Sequence, residues 1–408
     1  VITTEVGDMF PIVKELLVNA VVRYVKHMVP QWHIPDTVEF NAALREGNHL
    51  TLDNVALAPD DIAFLQYTGG TTGVAKGVML THANLVANVQ QLGAWIARDL
   101  VDGEEVAVIP LPLYHVYALT MTLVNMKIGA QVVLITNPRE LADFIDTLRR
   151  TPFTMMIGVN TLYAALLNHP DFEQVDTGHV KVAAAGGMAV QRVVAQRWKE
   201  RTGVPLVEGY GLTETAPVVT SNALDIIDWT GTVGLPLPST EVAAMDDQGR
   251  VVPLGEIGEI CVRGPQVMKA YWNRPDETAK VFTADGWLRT GDVGSMDERG
   301  FVKITDRKKD MINVSGFKVF PNEVEDVVAM HPGVLEVAAV GEPDEMSGEL
   351  VKIVVVPKDP ALAETDLIDH CRKHLTGYKV PKVVEFRSDP LPKTNIGKIL
   401  RRELRRKI

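Results

Sequence analysis

The chain has 408 residues, 46% hydrophobic and 23% charged, a balance that excludes disordered and fibrous proteins and allows two or three globular domains. Its net charge of −11 argues against general nucleic-acid binding. The charge is uneven, with +2 on residues 307–408 and −13 on the rest. Cys261 and Cys371 are the two cysteines, which excludes a disulfide framework and a cysteine zinc site and fits a reducing compartment.

The chain opens on Val1 and shows no secretory leader pattern. No apolar run reaches the ~18 residues of a membrane-spanning helix. The nearest is Ile12 to Val29, interrupted by Lys14, Glu15, Asn19, Arg23, Lys26 and His27, mostly at helical spacing. Two readings follow: a core helix with one wet edge, which the pattern favours, and a basic apolar helix lying on a membrane surface.

From Asp61 onward, short apolar runs alternate with longer amphipathic segments. Ile62–Tyr67, Val106–Ile109, Gln131–Thr136, Met155–Ile157, Val182–Ala185 and Pro205–Val207 have the composition of buried strands. His82–Leu100, Glu140–Arg150, Thr161–Asn168 and Ala189–Arg201 carry helical periodicity, with Thr81 as the cap of the first. This alternation predicts an α/β fold whose large domain holds mostly parallel βαβ sheets. From about 230 to 305 the pattern becomes β-rich, with turns at Asp247–Gly249 and Glu298–Gly300. A compact α/β tail follows, with a helix at Pro321–His331 and strands at Val334–Val340 and Leu350–Val356. The expected division is a large domain, 1–305, and a small hinged domain, 306–408. The five consecutive charges Asp306 to Asp310 are expected to form a solvated joint between them.

The strongest chemical signal is the segment from Tyr67 to Gly77, Tyr-Thr-Gly-Gly-Thr-Thr-Gly-Val-Ala-Lys-Gly. Glycines let backbone N–H groups converge on an anion, and three threonines and a lysine add donors suited to phosphate. An ordinary flexible turn is the plain alternative, which this composition disfavours. It is not a Walker A loop, since Ala75 stands where that motif needs glycine. The strand Ile62–Tyr67 precedes it and the helix from His82 follows.

This loop resembles the phosphate loop of the adenylate-forming superfamily, which includes acyl-CoA synthetases, luciferases and peptide-synthetase adenylation domains. Six further segments resemble that superfamily's motifs in order: Leu111–His115, Ala185–Met188, Gly209–Thr215, Leu288–Asp292, Asp306–Asp310 with Gly316, and Pro392–Lys398. Within it, Gly158–Leu162, Gly264–Met268 and His374–Pro381 are most similar to bacterial long-chain fatty acid–CoA ligases, while Ala270 departs from an expected glycine.

The resemblance implies the chemistry. A fatty acid carboxylate joins the α-phosphate of ATP, pyrophosphate leaves, and coenzyme A then takes the acyl group. Thr68, Gly69, Gly70, Thr71, Thr72, Gly73 and Lys76 are expected to hold the β- and γ-phosphates. Gly186, Gly187, Gly209, Tyr210 and Gly211 are expected around adenine, and Asp292 and Arg307 at the ribose. Glu214 is the expected Mg²⁺ ligand, since magnesium prefers oxygen donors and is commonly held by one or two carboxylates plus phosphates. Thr213 is expected to donate to the α-phosphate or the acyl-adenylate, with His115 as a gate beside the carboxylate. Lys398 is expected to bridge the carboxylate and α-phosphate. Alone, Glu214 would be a helix-capping acid, Asp292 a turn residue and Lys398 a solvated lysine. Gly316 is expected beside a pantetheine tunnel formed when the small domain rotates about Asp306. The expected partners are fatty acid, ATP and CoA, with no nucleic acid. A peripheral membrane surface and a homodimer are allowed. The expected location is cytoplasmic, with the inner face of the cytoplasmic membrane as the surface in question.

Only 66 residues precede Tyr67, fewer than the family usually carries, so an N-terminal truncation with open apolar surface is expected. The alternatives are another acyl- or aryl-adenylating enzyme, or a truncated, weakly active acyl- or nucleotide-binding protein.

Overall fold

The computed structural model describes residues 1–68 and 75–405. The chain divides into two compact units, 1–58 and 59–408.

The first unit pairs Ile2–Thr3 with Val38–Glu39 in parallel and holds the helices Ile12–Ala20 and Phe40–Gly47. Helix Ile12–Ala20 runs on as a wider turn over Val21–Val25. Polar contacts tie this unit together: the Gly7 N–H donates to Asn19 Oδ1 at 2.7 Å, and Asn41 Nδ2 donates to Glu15 Oε1 at 2.9 Å. The core-helix reading fails here. No residue of Ile12–Ala20 is buried, and Ile12, Val13, Leu16 and Leu17 are all exposed.

The second unit is built on a seven-stranded sheet. Its order is Leu235–Pro236, Val218–Ser221, Leu206–Gly211, Val182–Ala185, Met155–Gly158, Val106–Ile109 and Gln131–Leu134. The last five are parallel, and each of the first two pairs antiparallel with the strand that follows it in this order. Strands covered on both faces can be apolar throughout, which is why Met-Met-Ile-Gly and Val-Ala-Ala-Ala form continuous runs. Helices connect them as the alternation predicts. A further helix, Val116–Lys127, gave no usable periodicity because apolar residues surround it on nearly every side. The core centres on Trp198, whose ring meets Tyr163 edge-on at 4.7 Å between centroids. Thr81 caps helix His82–Ile96: its hydroxyl accepts from the Asn84 N–H at 3.2 Å.

The β-rich stretch is a four-stranded antiparallel sheet: Glu241–Met245, Gly258–Arg263, Leu288–Met296 and Val302–Arg307. The tail forms a sheet on the long pair Val334–Asp344 and Gly348–Pro357, packed by helices Pro321–Ala329 and Glu364–His374. Cys261 and Cys371 are both buried and free.

Two expectations are corrected. The strand Ile62–Thr68 belongs to no parallel sheet. It pairs antiparallel with Lys76–Thr81, and Ala270–Tyr271 completes a separate three-stranded sheet. The glycine-rich segment therefore joins two strands of a hairpin, not a strand to a helix. Asp306 is likewise no solvated joint. It is 2% exposed at the end of strand Val302–Arg307. Its carboxylate accepts from Arg307 N at 2.7 Å and from Asn322 N, in the first turn of helix Pro321–Ala329, at 2.8 Å. Arg401 Nη1 donates to it at 3.2 Å. A run of charges points to solvent, but a carboxylate that caps a helix and meets a guanidinium can be buried.

Candidate active site

One cleft of about 2190 Å³ gathers most of the expected site residues. Thr68, Lys76, His115, Gly186, Gly187, Gly209, Tyr210, Gly211, Thr213, Glu214, Asp292, Arg307 and Lys398 all line it. Gly69, Gly70, Thr71, Thr72 and Gly73 lie outside the described residues. Gly316 does not line the cleft. It sits at a tight turn with φ +86°, its N–H donating to Asn313 Oδ1 at 2.9 Å.

The strand Leu206–Gly211 delivers the central motif to the cleft. A Cβ on Gly211 would stand 2.0 Å from the Pro217 carbonyl oxygen, so the chain doubles back there only with glycine. The short turn Thr213–Thr215 follows and presents Glu214, whose Oε1 accepts from the Tyr271 hydroxyl at 2.7 Å. Tyr271 also lies under Lys76, whose Nζ is 4.9 Å from the ring centroid and is bridged to Glu277. The hydrogen bond from Lys280, then the hydrogen bond and charge of Lys76, hold the Glu277 carboxyl down at about 2.

Elsewhere in the lining, the Tyr210 hydroxyl donates to Asp292 Oδ2 at 2.8 Å, and Arg307 Nε lies 3.4 Å from Asp292 Oδ1. Asp292, 5% exposed within strand Leu288–Met296, is thus held from two sides. Burial, then the Asp292 charge, pushes the Tyr210 phenol well above its ordinary range, so it stays a donor.

His115 caps helix Val116–Lys127, its Nδ1 accepting from the Tyr117 N–H at 3.3 Å. That contact leaves the proton of the neutral ring on Nε2. Burial and then the Lys398 charge lower its pKa, so the ring is held neutral. A neutral imidazole here suits positioning. Lys398 itself is lowered from 10.5 to about 8, first by burial, then by Arg307, with Arg401 and Lys309 adding repulsion and Asp292 opposing.

Lys398 sits in a tight hairpin. Thr394 N donates to the Lys398 carbonyl at 2.8 Å, and Leu400 N to the Pro392 carbonyl at 2.8 Å. Arg401 braces its base, with Nε and Nη2 donating to the two Glu325 oxygens at 2.9 and 2.6 Å.

Among the described residues, no group of three His, Cys, Asp or Glu could hold a metal. A lone Glu214 fits magnesium only when phosphate oxygens supply the rest of the shell.

Sequence reasoning missed Tyr271 and Glu208. Tyr271 carried one usable signal, its place in the Ala270–Trp272 segment. Glu208 precedes Gly209 in the central motif and is 8% exposed in the cleft wall. Burial pushes its carboxyl up to about 8, with the Val190 N–H pulling it down and Asp326 raising it further.

A model of the AMP-binding enzyme family matches residues 5–272, and a model of the AMP-binding enzyme C-terminal domain matches residues 323–398. The chain is 55% identical over 406 residues to a long-chain-fatty-acid–CoA ligase of Escherichia coli O6:H1, covering 99% of this chain and 72% of that one. Among solved structures it resembles ATP-bound MatB from Rhodopseudomonas palustris, with TM-score 0.81 and 33% identity over 90% of this chain and 73% of that one. It also resembles the anthranilate CoA ligase AuaEII in complex with anthranoyl-AMP, with TM-score 0.79 and 30% identity over 87% and 69%.

Proposed function

The chain belongs to the AMP-binding enzyme family, and on that premise we infer that it is an ATP-dependent ligase that joins long-chain fatty acids to coenzyme A. The observation that carries this reading is the meeting of Lys398, the Tyr210–Asp292–Arg307 group and Glu214 in one cleft. An apolar part of the same lining, with Leu92, Trp95, Ile96 and Met121, supports an aliphatic acyl chain over a small acid.

In the first half-reaction, a carboxylate oxygen attacks the α-phosphorus of ATP, and the bond to pyrophosphate breaks. Two anions meet, so the largest need is positive charge placed between them. Lys398 supplies it, at the tip of a hairpin that aims the ammonium into the cleft. Asp292 accepts the ribose hydroxyls, and Tyr210 and Arg307 hold it for that task. Thr68 and Lys76 flank the phosphates, and Thr213 donates to the α-phosphate. Magnesium, held by Glu214 with the nucleotide's own oxygens, would offset charge on the phosphates. In the second half-reaction, the CoA thiolate attacks the acyl carbon and AMP leaves with the bonding pair. His115 orients the acyl group and transfers no proton.

The working parts in this reading are residues 1–305 and 306–408, supported by the separate sheet and core of the tail. Contact with a membrane surface is supported by the exposed apolar helix Ile12–Ala20. No helix among the described residues is long and apolar enough to cross a membrane. The homodimer rests on the resemblance alone.

The test is pyrophosphate release with a long-chain acid, a short-chain acid and an aryl acid, each with and without CoA. Acyl-AMP without CoA and steady turnover with it, fastest for the long-chain acid, is the expected result. Preference for the aryl acid would replace the fatty acid in this reading, and no pyrophosphate with any acid would end it.

A further inference from the structure

The hairpin that carries Lys398 touches the rest of the unit at its tip. There the Thr161 hydroxyl donates to the Gly397 carbonyl at 3.0 Å. Two further contacts lie at the exposed rim: Asn395 Nδ2 donates to the Tyr114 hydroxyl at 3.1 Å, and Arg139 Nη2 to the Thr394 carbonyl at 3.3 Å. The Thr161 contact is the partly buried one, and it falls on the residue next to Lys398.

Both sides of this contact are built to a fixed geometry. Thr161 stands in the first turn of helix Asn160–Asn168. Its neighbour Asn160 locks that turn to the next helical connection: Oδ1 accepts from Gln191 N at 3.0 Å, and Nδ2 donates to Gln191 Oε1 at 3.2 Å. A threonine in a helix divides between two side-chain rotamers, and the one adopted here sends the hydroxyl to the Gly397 carbonyl. On the other side, Gly397 has φ +84°, and a Cβ there would come within 2.8 Å of Thr161 Oγ1 and 3.4 Å of Val159 Cγ2. Glycine thus permits both the turn and the close approach. The hairpin's own bonds, Gly397 N to the Thr394 carbonyl at 2.9 Å and Lys398 N to Thr394 Oγ1 at 3.1 Å, transmit the position of Gly397 to Lys398.

We propose that Thr161 is a positioning residue for the first half-reaction: its hydroxyl seats the tip of the 392–400 hairpin and so fixes where Lys398 stands. This rests on the ligase reading above. Thr161 touches neither reacting atom in this scheme. It acts through Gly397, and the second half-reaction, which does not use Lys398, has less need of it.

The experiment compares Thr161→Val, which keeps the shape and removes the donor, with Thr161→Ser, which keeps the donor. Acyl-AMP formation without CoA and thioester formation from supplied acyl-AMP are measured separately. Thr161→Val is expected to lower the rate of acyl-AMP formation about tenfold, the effect of one lost hydrogen bond with its carbonyl left unpaired. KM for ATP should stay near that of the parent, thioester formation should fall less, and Thr161→Ser should recover most of the loss. A parent-like rate of acyl-AMP formation in Thr161→Val overturns the proposal. So does an equal fall in both half-reactions that Thr161→Ser fails to recover, since that marks a packing role. Lys398→Ala is run alongside. If the parent protein itself forms no acyl-AMP, the ligase reading is at fault; if Lys398→Ala leaves that step intact, the role of Lys398 falls and this proposal with it; if Lys398→Ala abolishes that step while Thr161→Val does not affect it, only the present proposal fails.

Discussion

Lys398 is expected to titrate far below other lysines, and this can be measured without turnover. Burial strips water from the ammonium, and Arg307 is the largest of the charges that repel it, which together bring it to about 8. At pH 8 about half of this amine is then neutral. An ordinary lysine with pKa about 10.4 is roughly 0.4% neutral at that pH, so Lys398 carries roughly 100 times more free amine. A trace of an amine-acylating reagent, applied across pH 6.5 to 11 and read by peptide mass spectrometry, gives a half-point for each lysine. Lys398 is expected near 8, and Mg²⁺-ATP should both shield it and move its half-point upward, because phosphate anions favour the charged form. The same titration predicts that kcat/KM for acyl-AMP formation falls as pH rises through about 8, where the free enzyme loses this charge. Replacing Lys398 with alanine should lower acyl-AMP formation by about 10²–10³, the typical effect of losing one preorganised donor, and thioester formation by much less. A labelling half-point near 10 in the free protein would refute the desolvated, cation-crowded setting on which this reasoning stands.

Three further outcomes are expected. Glu214→Gln should raise the magnesium concentration needed for half-maximal activity and leave the melting temperature close to the parent's; an unchanged requirement in a folded variant removes Glu214 as the ligand. Glu208 is ordinarily ionised above 4.5 but holds its proton up to about 8 when folded, so its contribution to stability is full below pH 4.5 and is lost as pH rises to 8. Glu208→Gln should therefore flatten the fall of stability over that window, by at most about 1.4 kcal/mol per pH unit in denaturant titrations, and parallel curves for the two proteins would contradict the buried neutral acid. Asp306→Ala should destabilise the chain by about 3 kcal/mol, because Arg401 and the N–H of Asn322 lose a buried acceptor; a loss below about 0.5 kcal/mol would restore the solvated joint.

The seven motif segments and the strand–helix alternation were legible in the sequence because each is local. A buried parallel strand must be apolar over four or five residues, and a phosphate loop must be rich in glycine, wherever the chain goes next. Hence the α/β class and the β-rich stretch could be named from the sequence alone, and a family resemblance added thirteen of the residues that line the cleft. Tertiary structure decided what depends on partners distant in the chain. Whether Asp306 faces water depends on Asn322 and Arg401, 16 and 95 residues away. Whether Lys76 opens a helix or a strand depends on its register with Thr68 and on the neighbouring Ala270–Tyr271. Thr161 and Gly397, 236 positions apart, carry no local sign that one will donate to the other. Local pattern encodes which backbone conformation a segment prefers. Burial of a charge, or the seating of the 392–400 hairpin, is set by groups that only the folded chain brings within hydrogen-bond distance.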